Sequence, residues 1–130
     1  MQALLTFVAI GVTSLLTYLF TRRNEFEKHK RMMVTQAYAD YLRGVAEGAH
    51  LNLDSNHAQV MARVADAKAR ICLYGSPEVI ASLAKFESAG GEILNSQQHE
   101  LFASLVLAMR GDSKVPRNDM ELILFGGRAA

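Results

Sequence analysis

Residues 1–21 read MQALLTFVAIGVTSLLTYLFT, and residues 22–31 read RRNEFEKHKR. The first stretch has no charged side chain. The second sets five basic residues (Arg22, Arg23, Lys28, Lys30, Arg31) against Glu25 and Glu27, a net +3. A helix of 21 residues is roughly 31 Å long, enough to cross the hydrocarbon core of a bilayer. It also satisfies its backbone polar groups internally, which lipid demands. Leu4, Leu5, Phe7, Val8, Ile10, Val12, Leu15, Leu16, Leu19 and Phe20 supply the apolar surface. Thr6, Thr13, Ser14 and Thr17 can return their hydroxyls to the preceding turn. Tyr18 lies near the charged boundary, where an aromatic with a polar tip suits the headgroup layer. The reading is a transmembrane helix over 1–21 followed by a basic juxtamembrane collar over 22–31.

A cleaved secretory signal is the main competitor. It needs a positive segment before the apolar run and small residues at a cleavage site after it. The chain opens Met-Gln, and the run ends Tyr-Leu-Phe-Thr-Arg-Arg, so neither feature is present. The excess of Lys and Arg after the span keeps that side cytosolic. This places the chain in the inner (cytoplasmic) membrane as a single-pass protein, N-terminus out, with residues 32–126 as a cytosolic domain and 127–130 as a frayed tail. The lipid bilayer is then the first partner, and the collar residues are candidate membrane-surface contacts. Gly11 has no small residue four positions away, so the span carries no Gly-xxx-Gly pairing motif.

The chain has 130 residues, room for one core beyond the span. Lys and Arg number 14 and Asp and Glu 13, a net charge of +1, so no nucleic-acid partner is expected. From Met32 onward nine basic residues face eleven acidic ones, which leaves a nearly neutral domain. The single cysteine excludes a disulfide within the chain and a thiolate zinc finger.

Helical periodicity continues past the collar. Val34, Tyr38, Tyr41, Val45 and Ala49 recur every three or four residues. Asn24 and Glu27 have capping-box spacing, yet no Pro or Gly separates Phe20 from Arg43, so an unbroken helix is equally compatible. Gly44 and Gly48 weaken that helix near its end. His50–His57 reads as a loop with Asp54, Ser55 and Asn56 as candidate N-caps. A second helix to Tyr74 presents Val60, Val64, Ala67 and Ile71, and Gly75 stops it. Ser76-Pro77-Glu78 opens a third, with cap, first-turn proline and first-turn acid in order. That helix runs to Gly90-Gly91. A fourth spans about Ser96 to Arg110 with Leu101, Leu105 and Ala108 on one face. Asn118 and Glu121 form a second capping-box pattern before the short run Met120–Phe125, closed by Gly126. The fold class is therefore all-α, a transmembrane helix followed by a bundle of about four or five helices. Arg70–Leu73 and Glu121–Phe125 have strand-like composition, but two runs some 50 residues apart do not build a sheet.

Three segments carry a resemblance: Ala69-Arg-Ile-Cys-Leu-Tyr-Gly-Ser-Pro-Glu-Val-Ile80, Leu105-Val-Leu-Ala-Met-Arg-Gly-Asp112 and Asn118-Asp-Met-Glu-Leu-Ile-Leu-Phe-Gly126. Their order resembles a class of uncharacterised small bacterial proteins, also seen near mobile elements. These have one N-terminal span and a cytosolic helical domain with Gly-Ser-x-Glu-Val and Ala-Met-Arg-x-Asp segments. The chain departs from them at Gly111, where a charged residue is more usual. The resemblance implies a fold and a location, and it implies no activity.

Reactive chemistry is sparse. His50, Asp54 and His57 lie close in sequence, but without a second ligand pair they read as a polar loop, and no metal or cofactor is expected. Cys72, between Ile71 and Leu73, reads as a buried structural thiol. Ser76 reads as a cap in preference to an anion site. His57 and His99 have no nucleophile motif around them, so a hydrolase finds no support. Arg70, Glu78, Arg110 and Asp112 are the charged residues of the first two of the recurring segments. They read as ion pairs joining helices or as an exposed contact surface. The expected function is a non-enzymatic, membrane-anchored interaction or regulatory module with a protein partner yet to be identified. The alternative is an oligomerising effector or toxin that permeabilises the bilayer. The Tyr, Met and Val face of residues 26–49 is a candidate seam for a homo-oligomer.

Overall fold

A computed structural model describes residues 1–50 and 57–126, with His50 by its backbone alone. The described residues form helices α1 (Gln2–His50), α2 (His57–Tyr74), α3 (Pro77–Ser88), α4 (Ser96–Arg110) and α5 (Arg117–Phe125), with no strand among them. The fold is all-α. Both strand-like runs are helical, because Ile71 keeps the 3.6-residue spacing of Val60, Val64 and Ala67, and the 121–125 run follows a helical first turn. The chain divides into two compact units, Met1–Met33 and Val34–Ala130.

The first unit is helix alone. Every residue from Met1 to Met32 is exposed, including Leu4 at 74% and Phe7 at 77%. No helix break occurs at Asn24, so the capping-box option there is not used. With neither Pro nor Gly between Phe20 and Arg43, nothing in the backbone interrupts the hydrogen-bond ladder.

The second unit is built around one apolar core. Ala37 and Tyr41 of α1 meet Val60, Val64, Ala67 and Ile71 of α2, Val79, Leu83 and Phe86 of α3, and Phe102 and Leu105 of α4. The α2 face is the one its spacing indicates. On α4 the buried face runs Gln98, Phe102, Leu105, one position round from the expected Leu101–Ala108 line. Phe102 occupies it because its ring lies 5.4 Å from that of Phe86 and 6.3 Å from that of Phe125. Gly44 is buried where α1 crosses α2, and a Cβ there would collide with the Cγ2 of Val64. This glycine permits a close helix approach; α1 continues beyond it and beyond Gly48.

Local caps set the helix ends. Ser76 is extended (φ −71°, ψ 155°), and its hydroxyl accepts from the Val79 amide at 3.3 Å, with Pro77 at the first helical position. Its own amide donates to the Tyr38 hydroxyl at 3.3 Å. α4 has a full capping box: Asn95 Oδ1 accepts from Gln98 N, and Gln98 Oε1 accepts from Asn95 N. Gly111 and Gly126 close α4 and α5 in the left-handed conformation (φ 79° and 70°). α5 differs from expectation at its start. Its N-cap is Pro116, with no side-chain hydrogen bond, and the helix already includes Asn118. Glu121 cannot complete a box because its carboxylate accepts from Arg117 Nε at 2.9 Å. The candidate caps at 54–56 and the tail 127–130 lie outside the described residues.

Candidate functional site

A partly open pocket in the second unit lies between the end of α1, the start of α2 and the α3–α4 turn. It is a cavity of about 370 Å³. Val45, Val60, Met61, Val64, Ile93 and Leu94 give it apolar walls, and Gly44, Gly48, Gly90 and Gly91 leave room where side chains would otherwise project. Tyr41, Lys68 and Glu87 supply its polar part.

Three helices position that polar group. Glu87 lies in the last turn of α3, next to the buried Phe86. A carboxylate at a helix C-terminus is opposed by the helix dipole, so it needs donors from elsewhere. Tyr41 of α1 donates its hydroxyl to Glu87 Oε1 at 2.6 Å, and Lys68 of α2 donates Nζ to Oε2 at 2.9 Å. Tyr41 is fully buried. Burial first, and the bond to Glu87 second, hold its phenol well above the ordinary tyrosine range. Both Glu87 oxygens are thus engaged, and the group acts as a polar tie among α1, α2 and α3. Chemically the cavity can take an apolar group against its walls, with the Lys68–Glu87 pair at one side.

Gln98 plays a matching role at the α3–α4 turn. Apart from the Tyr41 hydroxyl it is the one buried polar side chain among the described residues, at 6% exposure. Its Oε1 also accepts from Leu94 N at 2.8 Å, and its Nε2 donates to Ala89 O at 2.8 Å. One amide thereby holds both ends of the turn that carries Ile93 and Leu94 to the cavity.

The residues singled out in the sequence do not form one cluster. Arg70 joins helices, but through Asp40 of α1 at 2.7 Å and Asp66 at 2.9 Å. The hydrogen bond to Asp40 is the main cause that holds its guanidinium pKa above the usual value. Arg110 pairs with Asp112 at 3.0 Å, a local contact two residues apart that joins no helices. Glu78 is exposed in the first turn of α3. Glu78 and Asp112 line one open depression with Ser76, Leu107 and Ser113, whereas Arg70 lines another with Arg43, Glu47 and Arg63. The five collar residues Arg22, Arg23, Lys28, Lys30 and Arg31 are all exposed on α1, with Arg23 3.8 Å from Glu27.

Two expectations are corrected. Cys72 is exposed, since α2 turns Ile71 inward and the next two positions outward. The Tyr part of the 26–49 face is covered, because Tyr41 is buried in the chain's own core and Tyr38 packs against that core while bonding Ser76, whereas Phe26 and Met32 on the same stretch stay exposed. Among the described residues no three His, Cys, Asp or Glu side chains gather to hold a metal. The His50–Asp54–His57 group lies largely outside those residues.

The sequence reading missed Tyr41, Lys68, Glu87 and Gln98 as polar centres. Two signals were available. Asn95 and Gln98 have capping-box spacing, and Glu87 stands beside an apolar face at the end of a helix where acids are disfavoured. No family model matches the chain, and neither a curated protein nor a solved structure matches it.

Proposed function

We propose that the chain is a membrane-tethered helical module, its N-terminus outside and its core-bearing unit on the cytosolic side, which acts by contact with a partner. The observation that carries this reading is the contrast between the two ends of α1. From Val34 onward its apolar residues enter a core; from Met1 to Phe20 they stay exposed. A run of ten large apolar side chains left in water is costly, at about 25 cal/mol per Å² of exposed apolar surface. A bilayer removes that cost, and the Lys and Arg after the run orient it.

The contact role rests on the second unit. Tyr41, Lys68 and Glu87 tie its helices together, as do Arg70 and Asp40, and its cavity is walled largely by aliphatic side chains. The alternative of a permeabilising effector finds less support. Thr6, Thr13 and Thr17 donate their hydroxyls to the carbonyls of Gln2, Ala9 and Thr13, so each hydroxyl proton has a partner within its own helix. Membrane fractionation tests the tether: the chain is expected in the pellet after high-speed centrifugation and released by detergent. Recovery in the soluble fraction would refute it. Protease added from the periplasmic side should leave the second unit intact. A membrane-potential dye separates the alternative, since rapid depolarisation on expression belongs to an effector.

A further inference from the structure

The collar lies wholly within the first unit, and α1 fixes its register. Successive residues advance about 100° around a helix. Arg22, Arg23, Phe26 and Lys30 therefore fall within an arc of roughly 100°, and Glu25 and Glu27 flank it on either side. The arc holds three cations around one aromatic ring, and the nearest acid is Glu27 at its edge, 3.8 Å from Arg23 in an exposed pair. Phe26 is 69% exposed, and all four residues lie free of the core.

We propose that Arg22, Arg23 and Lys30, gathered around Phe26, bind the headgroups of anionic phospholipids. The inference rests on the membrane-tether reading above and adds a lipid class to it. Three features favour lipid as the occupant. Arg22 and Arg23 directly follow the last uncharged residue, at the level where phosphates begin. Lys30 is roughly 12 Å further along the axis, but side chains on a helix lean toward its N-terminus, here back toward the bilayer. Its long stem extends the charge still closer to the headgroups, and Phe26 suits the boundary between apolar and wet. Charge excludes a second copy, because two parallel chains in one membrane would set the same three cations against one another.

The test uses the full chain reconstituted in phosphatidylcholine vesicles. Trace spin-labelled phosphatidylglycerol or phosphatidylcholine reports, by electron paramagnetic resonance, the lipid held at the protein surface. A roughly fivefold preference for phosphatidylglycerol is expected, falling in high salt. The triple variant R22Q/R23Q/K30Q should bring it to about one, while K28Q, on the far side of the helix, keeps most of it. E25Q/E27Q should raise it. Equal association of the two lipids with the inserted wild-type chain overturns the proposal and leaves the face to an acidic protein or to topology alone. A chain that fails to float with the vesicles overturns the tether reading instead, and the lipid site with it.

Discussion

Gly44 and Gly48 stand one turn apart on α1, and alanine should act on them with opposite sign. At Gly44 the new Cβ would clash with Val64 Cγ2 and lie 3.6 Å from Val64 Cβ and 3.9 Å from its Cα. Valine in a helix has one strongly preferred rotamer, so the methyl cannot simply swing aside. Either Val64 leaves that rotamer or α1 and α2 move apart, and such overpacking costs about 1–3 kcal/mol. Helix propensity returns about 1 kcal/mol. The net expectation for Gly44→Ala is a loss of up to about 2 kcal/mol. At Gly48 a Cβ meets nothing within 4 Å, so Gly48→Ala keeps only the propensity gain, about 0.5 kcal/mol in the last turn. The two variants should differ by about 1.5 kcal/mol at the middle of these ranges, or roughly 8 °C in melting temperature for a unit of this size. Thermal melts of the full chain in mild detergent, followed by circular dichroism at 222 nm, read the difference. Removing the methyl with Val64→Ala should make Gly44→Ala harmless or favourable in the double variant. If Gly44→Ala melts with Gly48→Ala, the close crossing of α1 and α2 is wrong.

Other perturbations probe the core and the polar ties. Phe86→Ala empties the centre of the aromatic cluster and should cost about 3–5 kcal/mol, seen as loss of amide-exchange protection in α3 and α4. Gln98→Ala leaves the Leu94 amide and the Ala89 carbonyl without their partner, so a loss of about 2–3 kcal/mol is expected in urea titrations, with Gln98→Glu failing to restore the bond to Ala89. Tyr41 gives a pH signature. Its folded phenol titrates above the unfolded value of 10.0, so the unfolded chain releases the proton first. Stability is therefore intact below pH 10 and falls as pH rises above it, by about 1.4 kcal/mol per pH unit from this group. Tyr41→Phe should start lower by about 2 kcal/mol and lose that part of the alkaline slope; an unchanged slope would place the phenol in solvent.

Where structure is local, the sequence alone determined it. Ser76-Pro77-Glu78 places the start of α3, because the cap, the fixed proline φ and the acid near the dipole all act within three residues. Val60, Val64, Ala67 and Ile71 mark the inner face of α2, because burial follows helix period. The uncharged run 1–21 and the cations after it mark a segment apolar enough to cross a bilayer, by composition and length alone. Tertiary structure decided what depends on how helices cross. Tyr41 and Glu87 are 46 residues apart, and Arg70 and Asp40 are 30, so no local pattern names those partners. Gly44 looks like a helix breaker until Val64 is seen against it. Cys72 looks buried by its neighbours, yet a one-residue step turns it 100° away from Ile71 into solvent. The Tyr face of α1 looks like a seam between copies until α2 and α3 cover it. In each case the chain dictates the face, and only packing dictates what meets it.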